Sequence, residues 1–584
     1  MRLDAAQPNP YGAEGQLFLI KGDATLATFE NIEFVSGVSW PPSPDVQNFN
    51  LHIFHFNDLH GHLMRFTQGG EDAVLPRIAG KIQSTRQKYQ NQPDSAVLVF
   101  SGGDDCSGSI FDEMLTDKSQ GESVHPCYLL YTKLGVDMAG LGNHDLDRGL
   151  PFLADAIQSC AQFPVLAANI KGCAALKEVC HPAAILVVKG IRIGLIGLVT
   201  RAETHLNPHE CQIVDPIPVT KNLVAALRPR CDVLILISHL GYSLESPVPM
   251  ADAGDVEVAN SLPYGGVDLI VGGHSHTVLN QNGLVAKNIV NGIPIVQAGA
   301  SGKYLGQVAI EVRPNSAKVT AASLIPTDGL PICPAFENEM QAFVRRAREL
   351  WKKPLGRVDY IPDLNTQIIL NDFAKREMVL ANFVTDALVN RLTQRGFRID
   401  CAMIDASTLQ CGLPFSDHLK YGDCFEIMPY ADTLRLYQIT GGQFQELLAD
   451  NAVRVDHPHE LDIERGFLQF SREVRYTIAL KKERSAAQAL EITLHGSPLA
   501  AQLEKIFTIV TTSFIRNSAI AWETKWHSSS AYPLLDIEIF PFKETDFLLR
   551  HEMVAYIQEN GGVTRASGAQ QDGRLIITCE PVLK

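Results

Sequence analysis

No stretch of this sequence is apolar for long enough to cross a membrane, because a spanning helix needs about 20 consecutive apolar residues. The opening residues, Met1-Arg2-Leu3-Asp4 and then Gln7, Pro8, Asn9 and Pro10, lack the basic flank and apolar segment of an export signal. As written, the chain is expected to be cytoplasmic, or periplasmic or secreted if its start is truncated. None of its 12 cysteines forms a C-x-x-C pair, which argues against a zinc ribbon or a dithiol redox motif. The expectation is that most are small buried apolar residues in a reducing compartment. Positive charge is also short: 50 Lys and Arg stand against 65 Asp and Glu, a net charge of -15. That balance speaks against nucleic-acid polymers and anionic membranes as partners, since both demand a basic face. Small anions are still admitted through a local site.

What is present begins with size. At 584 residues the chain exceeds one ordinary hydrophobic core, so two domains are expected. Residues 1–47 read as an N-terminal extension closed by a stiff Pro41-Pro42-Ser43-Pro44 stretch. From Leu51, short Val/Ile/Leu-rich runs recur at 51–56, 96–100, 165–168, 185–188, 191–198, 233–237, 269–271 and 293–296. Their length favours buried strands. Helix-like segments lie between them, at Val74 to Tyr89 and Pro151 to Cys160, and the alternation predicts a layered α/β domain over 48–330. The strand pattern is expected to stop between Lys318 and Pro334. A solvent-facing helix over Phe336 to Trp351 and a linker around Lys352 to Leu364 fill residues 331–364. A second domain, 365–584, opens with a helical stretch from Arg376 to Leu392.

Five short stretches place metal-ligand side chains just after a predicted strand, where open α/β sheets collect their ligands. They are Asn57-Asp58-Leu59-His60, Gly102-Gly103-Asp104-Asp105, Gly142-Asn143-His144-Asp145, Ser238-His239 and Gly272-Gly273-His274-Ser275-His276. Taken singly, each has an ordinary explanation as a turn, a helix cap or a surface histidine. Five such loops at once reverse the odds. An extended Asp-x-His or His-x-His would point both side chains to one face and so to one ion. Nitrogen and oxygen donors without thiolate suit Mn, Zn, Fe or Co.

These residues resemble the calcineurin-like metallophosphoesterases, and among them the 5'-nucleotidase family. The resemblance implies a four-layer α/β metallophosphoesterase sandwich followed by an α+β C-terminal substrate-specificity domain. It implies two divalent ions, one on Asp58, His60, Asp104 and His276, the other on Asp104, Asn143, His239 and His274. With only two carboxylates among seven ligands, two divalent cations would leave a local charge of about +2, which explains how an acidic chain attracts phosphate. His144 would stabilise the phosphoryl charge or protonate the leaving group, and Asp147 would orient it. The alternative for Asp147 is a helix cap.

The C-terminal half carries weaker likenesses. Arg376-Glu377 with Asn382 and Asp386-Ala387, then Met428-Pro429-Tyr430 with Leu434 and Ile439-Thr440-Gly441, then Phe467-Leu468-Gln469-Phe470-Ser471, resemble the signatures of the family's second domain. By that resemblance Arg376, Tyr430 and Trp522 are the substrate-binding residues, the aromatics offering stacking faces. Two departures stand out. Asp405-Ala406-Ser407-Thr408-Leu409-Gln410 replaces an Asn-Gly-Gly-type turn ending in arginine, and Asn517 to Trp522 replaces a glycine-rich turn.

The expected function is hydrolysis of nucleoside 5'-monophosphates or related small phosphate esters by metal-activated water. A cyclic-nucleotide phosphodiesterase or a sulfur-ester thiohydrolase could use the same metals. A binding protein on a degenerate scaffold would have no need of the His144 and Asp147 pair.

Overall fold

The computed structural model describes residues 1–5, 15–26, 33–34, 48–67, 70–116, 125–201, 206, 210–244, 253–405, 408–455, 466–513, 537 and 540–579. The chain divides into two compact units, Met1–Ala347 and Arg348–Lys584.

In the first unit two sheets lie face to face. One has nine strands, in the order Ile289–Val290, Ile293–Val296, Leu269–Val271, Val233–His239, Ile191–Val199, Ala183–Val188, Gly15–Lys21, Arg2–Ala5 and Glu33–Phe34. The other has seven: Cys180–His181, Val165–Leu166, Met138–Gly140, Ser95–Ser101, Phe49–Phe56, Tyr304–Arg313 and Ser316–Pro326. Leu51, Ile53, Leu98 and Phe100 from the seven-stranded sheet pack with Ile193, Leu195, Ile235 and Ile237 from the nine-stranded one in a single buried core. The opposite face of the nine-stranded sheet, through Ile196, Leu198, Leu234 and Leu236, is covered by Leu223, Val224 and Leu227 of the helix Pro216–Leu227 and by Val258 and Ala259 of Asp255–Ser261. The helices Leu75–Tyr89, Pro126–Leu134 and Leu150–Cys160 form the remaining layer beside the seven-stranded sheet. The result is the expected four-layer α/β sandwich.

Each sheet has a parallel core, because its strands are buried on both faces and are joined by helices. Phe49–Phe56 runs parallel to Ser95–Ser101, with Phe56 opposite Ser101, and Ile191–Val199 runs parallel to Val233–His239, with Val199 opposite His239. The five polar loops lie at the carboxyl ends of Phe49–Phe56, Ser95–Ser101, Met138–Gly140, Val233–His239 and Leu269–Val271.

Three expectations need correction. The strand pattern ends at Pro326, inside the expected interval, with Ser316–Pro326 as a full strand pairing with Tyr304–Arg313. This strand lies at the sheet's edge, and its small and polar residues are largely exposed, so no apolar run marks it. The described part of residues 1–47 is more than an extension, since Gly15–Ile20 of the strand Gly15–Lys21 pairs with Ala183–Val188. The stretch read as a linker contains the strand Pro354–Val358, which pairs with Ser416–Lys420 and Gly562–Val563. Finally, Cys173 and Cys211 form a disulfide, closing the ribbon in which Ile170–Lys171 pairs with Gln212–Ile213. Nine other described cysteines are free, seven of them buried.

The second unit is α+β. Its five-stranded sheet runs Leu468–Phe470, Cys401–Asp405, Ile506–Thr512, Thr433–Thr440 and Phe542–Leu548, with a four-stranded sheet and the helices Val379–Gln394, Gly441–Ala452 and Leu549–Glu559 alongside. Among the described residues, no helix is long and apolar enough to cross a membrane.

Candidate metal centre

The loop after Phe56 is held against the loop after Ser101 by backbone bonds: Asp58 N donates to Gly103 O at 2.9 Å, His60 N to Asp104 O at 2.9 Å and Gly61 N to Asp105 O at 2.8 Å. These bonds turn the chain. Asp58, His60, Asp104, His274 and His276 all adopt left-handed backbone, with φ of 50°, 48°, 54°, 72° and 53°. The extended Asp-x-His and His-x-His geometry anticipated from sequence is therefore wrong, although the side chains converge all the same. A left-handed non-glycine residue costs about 1–2 kcal/mol, and such residues gather at functional sites. Gly142 packs so tightly that a Cβ there would collide with the Asp104 carboxylate and amide.

Five of the seven candidate ligands fall into two groups of close donor atoms, and the other two, Asn143 and His274, pair with each other. The His60 and His276 Nε2 atoms are 3.1 Å apart, and both approach Asp58 Oδ1, at 4.0 and 3.4 Å. His239 Nε2 lies 3.0 Å from Asp104 Oδ2 and 3.7 Å from Asp58 Oδ1. His274 Nδ1 is 3.1 Å from Asn143 Oδ1, and the His274 amide donates to Asp58. Asp58, His60 and His276 form one group of mutually close donor atoms, and Asp58, Asp104 and His239 another. Asp58 is thus shared by both groups.

This donor set fits divalent ions. His60 Nδ1 bonds Ser107 O at 3.0 Å and His239 Nδ1 bonds Gly102 O at 2.7 Å, so each ring spends its Nδ1 proton on a carbonyl and turns a lone pair at Nε2 inward. In the first group, the His60 and His276 Nε2 atoms, 3.1 Å apart, crowd two donors where a cation would accept both. Burial pushes His60 down to about 4 and His274 to about 3, keeping both neutral as ligation requires. Burial also opposes a charge on His239, but the Asp104 and Asp58 carboxylates together lift it to about 10. A proton there occupies the place that an ion bound to the same atoms would take.

Beside the ligands, His144 Nδ1 is 3.0 Å from Asp147 Oδ2, which also accepts from the Ser107 hydroxyl at 3.0 Å. The His144 and His60 rings stand 5.5 Å apart, and the His144 amide donates to Asp104 Oδ1 at 2.8 Å. The Asp147 side chain therefore serves His144, while its backbone amide closes the short helix by bonding His144 O.

The sequence reading assigned no role to a buried layer beneath the ligands. Asp145 accepts from the amides of Asp104, Asp105 and Gly142 at 3.1, 3.0 and 3.0 Å, so one carboxylate joins two ligand loops. Burial and the neighbouring Asp104 raise it to about 6. Asp105, bonded to the Tyr131 hydroxyl at 2.8 Å, is pushed well up by burial and by Asp145. Both aspartates stand inside the quoted motifs, and only their backbone partners reveal what they do. Ser107 and Gln297 lie outside the five stretches and gave no signal of their own.

Within the second unit, Arg376 precedes the helix Val379–Gln394 and is ion-paired at 3.2 Å to both Asp363 and Asp372. Tyr430 is half-buried, and the buried Arg550 guanidinium fixes its turn by donating to the carbonyls of Met428, Pro429 and Tyr430 at 2.6, 3.0 and 3.0 Å. Asp405 accepts from the Thr408 amide and hydroxyl within its own turn. Trp522 lies outside the described residues.

Residues 51–278 match the family described as calcineurin-like phosphoesterase, and residues 357–524 match the 5'-nucleotidase C-terminal domain. The chain thus resembles a calcineurin-like phosphoesterase domain in its first half and a 5'-nucleotidase C-terminal domain in its second. It is 32% identical over 300 residues to a 5'-nucleotidase of Vibrio cholerae serotype O1, covering 48% of this chain and 52% of that protein. The chain thus spans about half the length of that relative. Protein UshA of Yersinia enterocolitica is 28% identical over 440 residues, covering 69% of this chain and 76% of that protein. A 5'-nucleotidase precursor from Thermus thermophilus shares the fold, with a TM-score of 0.57, 22% identity and coverage of 91% of this chain and 100% of that one.

Proposed function

We propose that this chain is a phosphoric ester hydrolase acting on nucleoside 5'-monophosphates or related small phosphate esters. The observation that carries the proposal is the convergence of Asp58, His60, Asp104, His239 and His276, with His274 and Asn143 paired at 3.1 Å, beside the His144 and Asp147 pair. Asp58, His60, Asp104 and His276 would hold one divalent ion, and Asp104, Asn143, His239 and His274 the other. Such ions supply an activated water and a clamp on the phosphoryl oxygens. With its Nδ1–H given to Asp147, His144 keeps Nε2 to hold a phosphoryl oxygen or to protonate the leaving group, and the Asp147 charge favours the imidazolium that either role needs. Arg376, Tyr430 and Trp522 are the candidate substrate contacts.

The Cys173–Cys211 disulfide supports an oxidising compartment, hence the periplasmic or secreted alternative rather than the cytoplasm.

The test is an assay of Mn²⁺- or Co²⁺-loaded protein against nucleoside monophosphates, an aryl phosphate, cyclic nucleotides and a sulfur ester. Turnover of the monoesters is expected. Turnover confined to cyclic diesters or to the sulfur ester would replace this reading, and no turnover of any substrate by loaded protein would leave a binding protein.

A further inference from the structure

Gln297 follows the strand Ile293–Val296 and is completely buried, although a glutamine usually seeks water. None of its recorded bonds goes to a candidate ligand's side chain. Its amide instead grips the loop that carries two of them. Oε1 accepts from the Ser275 hydroxyl at 2.9 Å and from the Thr277 amide, and Nε2 donates to the Gly273 carbonyl at 2.6 Å. Gly273, Ser275 and Thr277 are the three residues that flank and separate His274 and His276. One side chain therefore fixes the loop before, between and after the two histidines.

The loop needs that grip. His274 and His276 both hold left-handed backbone, and Ser275 and Thr277 sit too deep for water to satisfy their polar groups. Ser275 is itself held, accepting from the Tyr242 amide at 2.9 Å. The residues after Gln297 are tied to the opposite ligand loop: Asn57 Oδ1 accepts from the Ala298 amide at 2.8 Å, Asn57 Nδ2 donates to Gly299 O at 2.7 Å, and the Ser301 amide donates to Asp58 O at 2.8 Å. Residues 297–301 thus hold the loop of Asp58 and His60 in register with that of His274 and His276.

We propose that Gln297 is a positioning residue of the metal centre, setting the spacing of His274 and His276 against Asp58 and His60. The proposal rests on the metal-centre reading above. Gln297→Glu keeps the acceptor oxygen but sets a carboxylate oxygen against the Gly273 carbonyl. Gln297→Met keeps the volume and removes every side-chain bond. Ser275→Ala removes one of the three Gln297 side-chain bonds, together with the Ser275 hydroxyl's bonds to the Tyr242 amide and the Thr277 hydroxyl.

The experiment titrates Mn²⁺ into the metal-free wild type and the three variants by calorimetry, and records the absorption spectrum of each Co²⁺-loaded protein. Thermal midpoints of the metal-free proteins serve as the folding control. Removing a partner that orients metal ligands typically weakens binding about 10–100-fold. That loss is expected in Gln297→Glu and Gln297→Met, with a smaller loss in Ser275→Ala and altered Co²⁺ bands in all three. A purely structural glutamine would lower the metal-free midpoint and leave affinity and spectrum unchanged, and that result overturns the proposal. If the wild type binds no divalent ion, the metal-centre reading itself fails.

Discussion

The His239 ring turns its Nε2 to Asp104 Oδ2 at 3.0 Å while its Nδ1 bonds the Gly102 carbonyl at 2.7 Å. Gly102 and Asp104 belong to the same loop, so the histidine is oriented and used by residues two apart. A ring fixed in this way has one tautomer available for an ion, and the Asp104 carboxylate defines where that ion would sit.

Asp104→Ala is expected to abolish retention of both ions, because the proposed arrangement makes this carboxylate common to the two. Elemental analysis of purified protein should find two equivalents in wild type and close to none in the variant. The geometry sharpens the comparison, since Asp58 also stands in both donor groups. If Asp104→Ala retained two tightly held equivalents while Asp58→Ala lost both, Asp58 would be the bridging residue.

For His144→Ala the expected result is intact metal content with kcat reduced about 10²–10⁴-fold, the usual contribution of a positioned acid or base. Asp147→Asn should give a milder loss of the same kind, because the His144 ring stays in place while the favourable charge is gone. Normal turnover in His144→Ala would return that histidine to a structural role.

His55 should make the protein acid-sensitive. It is fully buried, neither ring nitrogen has a hydrogen-bond partner, and burial lowers it to about 3. Above pH 6.5 both folded and unfolded forms are neutral and the residue contributes no pH dependence. As pH falls below 6.5 only the unfolded chain takes up the proton, so stability is lost progressively down to about pH 3. Between about pH 6.5 and 5 the loss amounts to about 2 kcal/mol. His55→Leu should flatten the dependence by that amount in urea unfolding at the two pH values, and an unchanged slope would show that His55 is protonated in the fold.

Selectivity among nucleoside monophosphates is expected to be poor. Arg376 already shares its charge with Asp363 and Asp372, and Gln410 is exposed and uncharged, unlike the arginine that the resemblance would place there. One charged hydrogen bond is worth about 1.5–3 kcal/mol, or about one to two decades of affinity. Comparing kcat/KM for AMP, the other monophosphates and an aryl phosphate, in wild type and Gln410→Arg, checks this. A preference for AMP of several decades in wild type would mean that other residues build a base pocket.

The parts legible in the sequence share a physical cause. Strands such as Val233–His239 are buried on both faces, and they read as unbroken apolar runs. Ser316–Pro326 pairs on one side only and exposes most of its residues, so its Ala, Ser, Thr and Lys content left no trace. In the site, Asp58, His60, Asp104, Asn143, His239, His274 and His276 were visible because side-chain chemistry and flanking glycines mark them locally. Asp145 and Gln297 were not assigned, since their roles consist of bonds to backbone groups 40 and 24 residues away. No local pattern encodes such a partner. The left-handed turns escaped for a related reason: Asp58 and His60 are set by bonds to Gly103 and Asp104, whereas their own composition would allow an extended segment.

Those left-handed ligands set affinity for metal against intrinsic stability. Glycine enters positive φ without the Cβ penalty, so Asp58→Gly or His276→Gly should be more stable, metal-free, than the matching alanine variant by about 1 kcal/mol. The metal-free loops therefore carry tension that bound ions would hold in check. Selection for thermal robustness alone, applied without divalent ions, would drift toward glycine at these positions and silence the site while leaving the sandwich intact.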